Sequence, residues 1–255
     1  KKLFECFTDF KEFTVIIFQA DTIENVRKIK EAVRKINNIG YSSVHITDTK
    51  EEAVRVSRLL LNCNGIHFLN FANQFKINNL SNQLQIIEIF LKENKISHRD
   101  IIFDSSILLS IYGLREAKDI DYLLAGDLKV IEPNKHLESH DETLKYYSET
   151  KNNLIYDPQN YFYYNGYKFI SFSRLYKMKK NRSEVKDIND INMMKALVEN
   201  NFKVVMLNQI RQNFFYFKIK LLGRLRELLI FILKKTKTYT ILKKIFYKFK
   251  GDKNS

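Results

Sequence analysis

The chain is poor in the residues that build disulfide-bonded, collagen-like or linker-rich proteins. Its 255 residues include two cysteines, two prolines, seven glycines and no tryptophan. Cys6 and Cys63 are too few for a disulfide framework or a cysteine zinc site, which indicates a reducing, cytoplasmic setting. The scarcity of glycine and proline excludes collagen-like and linker-dominated architectures. Because 45% of the residues are apolar, the chain can build a core, and we expect a folded protein.

Acidic residues are scarce near the C-terminus. Residues 203–255 carry 11 Lys and 3 Arg but only Glu227 and Asp252, so they hold +12 of the formal net charge of +14. The preceding part is therefore almost neutral, and its charge does not require a nucleic-acid partner. The chain also lacks a signal-peptide pattern and begins Lys-Lys, so we expect a piece of a longer protein.

The N-terminal third alternates apolar runs with helical patterns. The runs at 15–20, 43–47 and 66–71 are typical of buried strands, and Asp21 and Asp48 are in position to cap the helices that follow the first two. Such alternation favours a parallel, helix-covered sheet. After a helix over residues 80–94, the polar residues 95–100 indicate a domain boundary.

The remaining pattern predicts a second domain of mixed structure. It consists of a strand at 101–104, a helix at 106–114, a strand at 119–124, a polar helix at 134–150, aromatic strands within 161–172, and helices from about 174 and from 186 or 187 to 200. The fold class is thus α/β, with α+β character. We divide the chain into an α/β unit of unknown role (1–97), a second domain (98–202) and a basic amphipathic helical tail (203–255).

One stretch has residue types and spacing suited to phosphate chemistry. Asp104-Ser105-Ser106 is followed, after twelve residues, by Asp119-Ile120-Asp121. Residues i and i+2 of a strand point to one face, so both carboxylates of the second triplet can bind one hard cation, Mg²⁺ or Mn²⁺. The serine pair begins a predicted helix, where backbone N–H groups and hydroxyls can bind phosphate.

These residues carry a family resemblance. Ser105-Ser106, the segment Tyr112-Gly113-Leu114-Arg115 and the pair Asp119 and Asp121 resemble the nucleotidyltransferase superfamily, whose signature is Gly-Ser, a helix and Asp-x-Asp. A later run resembles the helical stretch of its minor members, which are aminoglycoside nucleotidyltransferase-like or toxin-like: Lys177, Lys179, Arg182, Lys186, Asp187 and Asp190. The resemblance covers residues 101–195. The chain also resembles uncharacterised proteins of bacterial capsule and surface-polysaccharide loci.

The resemblance implies transfer of a nucleotidyl or phosphoryl group from a nucleoside triphosphate. Asp119 and Asp121 would be the catalytic and metal-binding residues, and the nucleotide or its phosphates would be bound by Ser105, Ser106, Arg115, Lys179 and Arg182. Arg115 and Lys118 are equally well explained as a balance for nearby acidic charge. The chain departs from the family pattern in two places. Ser105 replaces the glycine, and residues 161–172 lack the third carboxylate, for which Glu138 or Asp141 are the available substitutes.

The histidines have simpler explanations than metal binding. His45 and His67 lie in apolar runs, which favours hydrogen-bonded core histidines. His136 and His140 flank Glu138 at a spacing of four, which suits either a metal pair on a helix or, in preference, an exposed polar face.

The basic tail alternates cations with aromatic and aliphatic residues at helical spacing. Its longest uncharged stretch is too short to span a bilayer, so we expect residues 206–250 to lie on an anionic membrane surface. Packing against the protein itself or a partner is the next alternative. Nucleic acid ranks third, because the tail has no recognisable reader motif.

Together these features predict a Mg²⁺-dependent transferase. Its acceptor would be a sugar, polyol or glycan intermediate of surface-polysaccharide biosynthesis, and it would act in the cytoplasm at the inner membrane face. Two alternatives remain open: a toxin-like enzyme that modifies RNA, and a catalytically degenerate domain that binds a nucleotide or positions a partner.

Overall fold

A five-stranded mixed sheet lies at the centre of the protein. The computed structural model describes residues 14–38, 41, 44–126, 128–236 and 238–239. The strands are β1 (Ile101–Asp104), β2 (Ile120–Leu124), β3 (Leu137–Ser139), β4 (Tyr161–Tyr164) and β5 (Tyr167–Ile170). Their order is β3-β2-β1-β5-β4. The central β1 is antiparallel to β2 and parallel to β5, while β3 is parallel to β2 and β4 is antiparallel to β5.

Helices surround this sheet and confirm the α/β class. In the described residues they are α1 (Ile23–Asn37), α2 (Lys50–Leu60), α3 (Cys63–Phe71), α4 (Leu80–Glu93), α5 (Ser106–Ile111), α6 (Lys151–Tyr156), α7 (Phe172–Arg182), α8 (Val185–Val198) and α9 (Phe202–Lys235). Short 3₁₀ helices occupy Asp141–Tyr146 and Pro158–Asn160.

The hydrophobic core is built on the central strands. Every residue of β1 and β5 is buried, because both faces of these strands are covered. On one face the Phe90 ring of α4 lies 5.2 Å from the Tyr122 ring of β2. The Phe68 ring of α3 stacks on that of Phe162 in β4 at 5.1 Å. The core thus includes side chains on both sides of residue 97, where we predict a domain boundary.

The three strands predicted before residue 80 are wrong. Residues 15–20 and the described residues 44–47 form no ladder, and residues 66–71 belong to α3. A short apolar run has the same appearance in a strand and in a buried helix. Here Asn62 decides the outcome, because its side chain accepts hydrogen bonds from the N–H groups of Asn64 and Gly65 and so begins a helix.

The first two helices do form, but other residues cap them. The Thr22 hydroxyl accepts from the Asn25 N–H, and the Thr49 hydroxyl accepts from the Glu52 N–H. The predicted caps Asp21 and Asp48 each lie one residue too early.

The predicted polar helix over residues 134–150 is also wrong. Leu137 pairs with Ile120 as part of β3, and a 3₁₀ helix follows. The polar pattern could not reveal that His140 and Tyr147 turn inward to a buried partner. By contrast, β1, β2, the β4-β5 hairpin with its turn at Asn165 and Gly166, and helices α4, α7 and α8 are confirmed.

The tail is helical over Phe202–Lys235, and its first turns pack on the protein. Val205, Asn208 and Gln212 are buried, and α9 lies against α8. One face of the start of the predicted membrane segment 206–250 is therefore covered by protein, and residues 237 and 240–250 of the segment lie outside the described part. Among the described residues, no helix combines the length and the apolar content that crossing a bilayer requires.

Candidate active site

Three carboxylates lie in a row across the sheet. Asp121 of β2 is directly paired with Asp104 of β1 on one side and with Glu138 of β3 on the other. Directly paired residues of neighbouring strands project from the same face of a sheet. Asp119 precedes the strand by one residue, and its charge also acts on Asp121. The sheet therefore concentrates negative charge at one end of β2.

Asp104 is fully buried and held by three donors. The Tyr147 hydroxyl donates to its carboxylate at 2.6 Å, His140 Nδ1 lies 2.9 Å from the other oxygen, and the Ser105 N–H donates as well. Burial opposes ionisation, but the hydrogen bond and charge of His140, with those donors, keep the pKa of Asp104 below its usual value. The same contact outweighs burial and raises the pKa of His140. Both shifts favour the charged forms of the two partners.

The environment of Asp121 shifts its pKa in the opposite direction from that of Asp104. Burial raises the pKa of Asp121 to about 6; the charges of Asp119 and Asp104 add to this increase, while His140 and the Ser105 hydroxyl oppose it. Its side chain is only partly buried and Asp119 is exposed, so both can reach a ligand. Carboxylate oxygens are hard ligands, and two carboxylates that repel each other suit a divalent cation such as Mg²⁺. Mg²⁺ needs few protein ligands, because phosphate oxygens and water complete its coordination shell.

The serine turn contacts the aspartate pair directly. The Ser106 hydroxyl lies 3.0 Å from the backbone carbonyl of Asp119 and 3.0 Å from its Oδ1. These contacts join the first residue of α5 to the start of β2, across the twelve intervening residues. Both serine side chains are buried, so the Ser106 hydroxyl positions Asp119 in this structure.

Ser105 has the backbone conformation of a glycine. Its φ of 60° and ψ of −124° lie in a region that residues with a Cβ rarely occupy. The strain comes from the turn between β1 and α5, which reverses the chain within one residue. In the family that the sequence resembles, glycine occupies the position of Ser105. The backbone conformation at this position favours glycine.

The three predicted phosphate-binding cations are engaged in buried ion pairs. Arg115 binds Asp190 through two parallel hydrogen bonds of 2.7 and 2.9 Å. Lys179, which is 1% exposed, contacts Asp187 at 3.1 Å and Asp190 at 2.9 Å. Arg182 binds Asp187 through hydrogen bonds of 2.6 and 2.8 Å. We call these five side chains the ionic cluster.

The ionic cluster joins α7 and α8 to the acidic site. Burial opposes the charge of Arg115, but Asp190, and more weakly Asp119, raise its pKa. Arg182 is likewise influenced by Asp104. The cluster has three cations and two anions, so it carries one net positive charge beside the carboxylates. Because its three cations are paired with Asp187 and Asp190, they hold the elements around the site together and do not offer hydrogen bonds to a phosphate.

Of the two substitutes for the third carboxylate, Glu138 is exposed and directly paired with Asp121, whereas Asp141 is paired with Lys151 at 2.8 Å. His45 Nε2 lies 3.3 Å from the Glu52 carboxylate at the surface, and Nδ1 of His67, on α3, lies 2.9 Å from the hydroxyl of Tyr112, which follows α5. Within the described residues, no group of three or more His, Cys, Asp or Glu side chains is arranged to hold a metal.

Sequence reasoning missed the role of three residues. The sequence shows Asp104 next to the serine pair without indicating a function for it, places His140 in a predicted helix, and gives no signal for Tyr147. Their association depends on β1 and the 3₁₀ helix meeting under the sheet. A histidine two residues after Glu138 is the one available clue, because alternate residues of an extended chain lie on the same face, and His140 reaches Asp104 from there.

Comparisons with known proteins add no relative: neither a family model, nor a curated protein, nor a solved structure matches the chain. The resemblance described above therefore rests on the quoted residues alone.

Proposed function

We propose that the chain is a Mg²⁺-dependent nucleotidyl- or phosphotransferase, with Asp119 and Asp121 as its catalytic metal ligands. The observation that carries this proposal is the contact between the two halves of the motif. The Ser106 hydroxyl lies 3.0 Å from Asp119 Oδ1, so the serine turn and the Asp-x-Asp pair form one site. Mn²⁺ would fit the same oxygen ligands.

The side chains have separate tasks in this proposal. Asp119 and Asp121 hold the cation, which when bound neutralises the triphosphate and stabilises the charge that develops during transfer. Ser106 holds Asp119, and the resemblance implies that the Ser105-Ser106 turn lies against the donor's phosphates. Asp104, fixed by His140 and Tyr147, is a positioning residue that keeps β1 and the turn in register with β2.

The proposed acceptor is a sugar, polyol or glycan intermediate of surface-polysaccharide synthesis, handled in the cytoplasm at the inner membrane face. This acceptor class rests on the resemblance. The location is supported by α9, where Leu and Ile side chains between 44% and 56% exposed form one stripe, the tail stripe: Leu221, Leu222, Leu225, Leu228, Leu229 and Ile232. Six lysines and arginines and one glutamate accompany this stripe over residues 217–235, which favours anionic lipid.

A second candidate is a nucleotide-binding domain without catalysis. The ionic cluster favours it, because Arg115, Lys179 and Arg182 are already paired with Asp187 and Asp190. A domain that uses its cations for structure can still bind a nucleotide through Asp119 and Asp121. It would lack the cations that stabilise charge on a transferring group.

Turnover separates the two candidates. The chain is incubated with Mg²⁺, each nucleoside triphosphate, and a panel of sugars, polyols, their phosphates and RNA. Release of pyrophosphate, from nucleotidyl transfer, and of nucleoside diphosphate, from phosphoryl transfer, is measured alongside nucleotide binding. A transferase gives acceptor-dependent release that Asp119→Asn abolishes. Binding without release for every acceptor supports the second candidate, release with RNA alone supports an RNA-modifying enzyme, and no binding contradicts both candidates. Glu199→Gln, on the exposed end of α8, is the matched control.

A further inference from the structure

The helix α9 connects the candidate active site to the exposed tail. Its Gln209 side chain donates to the Leu114 carbonyl at 2.6 Å, and the centre of its Tyr216 ring lies 3.3 Å from Lys118 Nζ. The segment that these contacts hold leads directly into Asp119. Because an α-helix rises about 1.5 Å per residue, the tail stripe begins only about 7.5 Å beyond Tyr216 along the axis of α9. One helix therefore contacts the segment beside the site and carries the residues proposed to meet lipid.

The exposed apolar surface of α9 starts before the tail stripe. Four large apolar side chains on the first half of the helix are 58–66% exposed, and we call them the proximal stripe: Met206, Ile210, Phe214 and Phe217. Since successive residues of a helix are rotated by about 100°, the proximal stripe lies on the opposite side of α9 from the buried Asn208 and Gln212. Gln212 contacts Asn189 of α8 at 2.8 Å. The folded domain thus lies on one side of α9 and the apolar surface on the other, as a helix resting on a membrane requires.

Cations flank this apolar surface on both sides. Four of them are exposed: Arg211 and Lys218 along one edge, and Lys220 and Arg224 along the other. Residues 202–226 contain no Asp or Glu. Long cationic side chains at the edges of an apolar stripe reach lipid phosphates while the stripe enters the acyl boundary. A second copy of the chain would bring like charges together on this face, so the charge selects an anionic lipid surface as the partner of α9.

Lys118 and Lys220 form a pair of cations between the lipid-facing edge of α9 and the metal site. Lys220 follows Tyr216 by one helical turn on the same side of α9, and the Tyr216 ring contacts Lys118. Partial burial and the charge of Arg115 lower the pKa of Lys118; the charge of Lys220 adds to this decrease, while Asp119 opposes it. Two cations that repel each other suit a shared phosphate. A phosphate bound by both would lie at the level of the flanking cations, beside the residue that precedes Asp119.

We propose that the acceptor is a membrane lipid whose sugar or polyol head group is joined through phosphate, and that Lys118 and Lys220 bind this phosphate. This inference rests on the proposed function. A hydroxyl oxygen of the head group attacks the α- or γ-phosphorus of the nucleoside triphosphate and forms a new P–O bond. The bond from that phosphorus to its bridging oxygen breaks, and pyrophosphate or nucleoside diphosphate, respectively, leaves with the electron pair. The hydroxyl proton passes to the exposed carboxylate of Glu138, which is paired with Asp121.

The test compares lipid-bound acceptors with their soluble head groups. The full chain is incubated with Mg²⁺, each nucleoside triphosphate labelled at the α- or γ-phosphorus, and phosphatidylcholine vesicles that contain phosphatidylglycerol, phosphatidylinositol or a polyprenyl diphosphate sugar. The soluble counterparts are glycerol 3-phosphate, inositol 1-phosphate and the sugar 1-phosphate. We expect label in the lipid extract for at least one lipid, at a rate at least about tenfold above that of its soluble counterpart, because the surface raises the effective concentration. Equal or faster transfer to the soluble head groups would overturn the inference and leave the transferase proposal intact.

Variants of α9 tie the lipid phosphate to the cation pair. Lys220→Gln should raise the KM for the lipid acceptor about tenfold, with unchanged triphosphate affinity and melting temperature, because one charge-assisted hydrogen bond is lost. Lys218→Gln is the matched control, since it removes the same charge from the same helix on the side away from Lys118. Equal effects of the two substitutions on this KM would contradict binding of the phosphate by Lys118 and Lys220.

Flotation without nucleotide keeps the two proposals apart. Vesicle binding that Lys220→Gln weakens more than Lys218→Gln, in a chain that binds no triphosphate, would support the lipid site and end the transferase proposal. Triphosphate binding in a chain that floats with none of these vesicles, or that labels none of the three lipids, would end the inference alone.

Discussion

At the scale of single residues, two paired aspartates have electrostatic environments that shift their pKa values in opposite directions. Asp104 and Asp121 are direct partners across β1 and β2. Asp104 has His140, Tyr147 and a backbone N–H as donors, which offset its burial and lower its pKa. At Asp121 burial outweighs the Ser105 hydrogen bond and the charge of His140, and it raises the pKa to about 6. One carboxylate is thus satisfied within the protein, while the other gains most from an added cation.

Ser105 provides a test at the same scale. Because its φ is 60°, replacement by glycine should relieve strain and raise the free energy of unfolding by about 0.5–1 kcal/mol, as measured in urea. Ser105→Ala keeps the strain and loses the hydroxyl, so it should not stabilise. Ser183→Gly, at another positive φ immediately after α7, is the control and should stabilise without affecting the site. A destabilised Ser105→Gly would contradict the strain argument.

The ionic cluster predicts the effect of removing a buried partner. Asp190→Asn leaves Arg115 and Lys179 with a neutral neighbour and should lower the free energy of unfolding by about 3–5 kcal/mol. Glu199→Gln removes an exposed contact with Lys195 at 3.8 Å and should change stability by less than about 0.5 kcal/mol. Equal effects of the two substitutions in urea denaturation would contradict this account.

The same cluster predicts how stability depends on pH. Burial opposes ionisation of Asp187 and Asp190, but Arg182, Arg115 and Lys179 lower both pKa values below 3.8. A lowered folded pKa gives stability that is complete above the unfolded value and is lost as pH falls through the folded value. Wild type should therefore lose stability below pH 3.8, and Asp190→Asn should lose less over that range. A parallel pH dependence of the two proteins would exclude Asp190 as a contributor.

At the scale of elements, the turn after α5 fixes how the two halves of the motif meet. Gly113 has φ +70°, and a Cβ on it would lie 2.5 Å from the Asn73 carbonyl oxygen. Gly113→Ala should therefore destabilise the protein by roughly 2–4 kcal/mol, through backbone strain and a clash together. Gly166→Ala, at φ +83° with nothing within 4 Å, measures the strain alone and should cost about 1 kcal/mol. Similar melting temperatures for the two variants would remove the role of the clash.

The local sequence pattern predicts an element of this protein correctly only where it fits a single kind of secondary structure. β1, β2 and the hairpin at Asn165-Gly166 follow from alternation and turn chemistry, and they are confirmed. The run at 66–71 fails because its apolar residues fit a strand or a helix equally well, and the Asn62 cap decides. For the site, the contact between Ser106 and Asp119 could be predicted from spacing. The partners of Asp104 and the pairing of Arg115 with Asp190 could not, because they depend on how separate elements pack.

At the scale of the whole molecule, the tail has two parts with different surroundings. Asn208 and Gln212 are buried where α9 lies on α8, whereas the tail stripe beyond residue 220 is exposed. The first part belongs to the folded protein. The second part, rich in cations, has the composition of a helix that lies on anionic lipid.

This division predicts separate effects of two truncations. A chain ending at residue 220 should keep its melting temperature but no longer float with anionic vesicles, whereas one ending at residue 206 should be destabilised because Asn208 and Gln212 are removed. Binding of the full chain should weaken as salt rises, since the Debye length falls from about 10 Å at 0.1 M to about 3 Å at 1 M.

The tail stripe itself is tested by the pair Leu225→Ser and Leu229→Ser in the full chain. These substitutions leave the charge unchanged and should reduce flotation. A full chain that does not float with anionic vesicles, or that floats equally well with neutral ones, would contradict membrane binding through the tail.

The central claim is that Asp119 and Asp121 hold a cation that binds a nucleoside triphosphate. Calorimetric titration of each triphosphate, with Mg²⁺ and with chelator, measures it most directly in wild type and in Asp121→Asn, with Glu199→Gln as the control. We expect wild type to bind at least one triphosphate, and to do so only with Mg²⁺. This binding should be lost in Asp121→Asn, whose melting temperature should be unchanged, and it should be retained in the control. Equal triphosphate affinity in wild type and Asp121→Asn would contradict a metal site at Asp119 and Asp121. So would a wild type that binds none of the triphosphates.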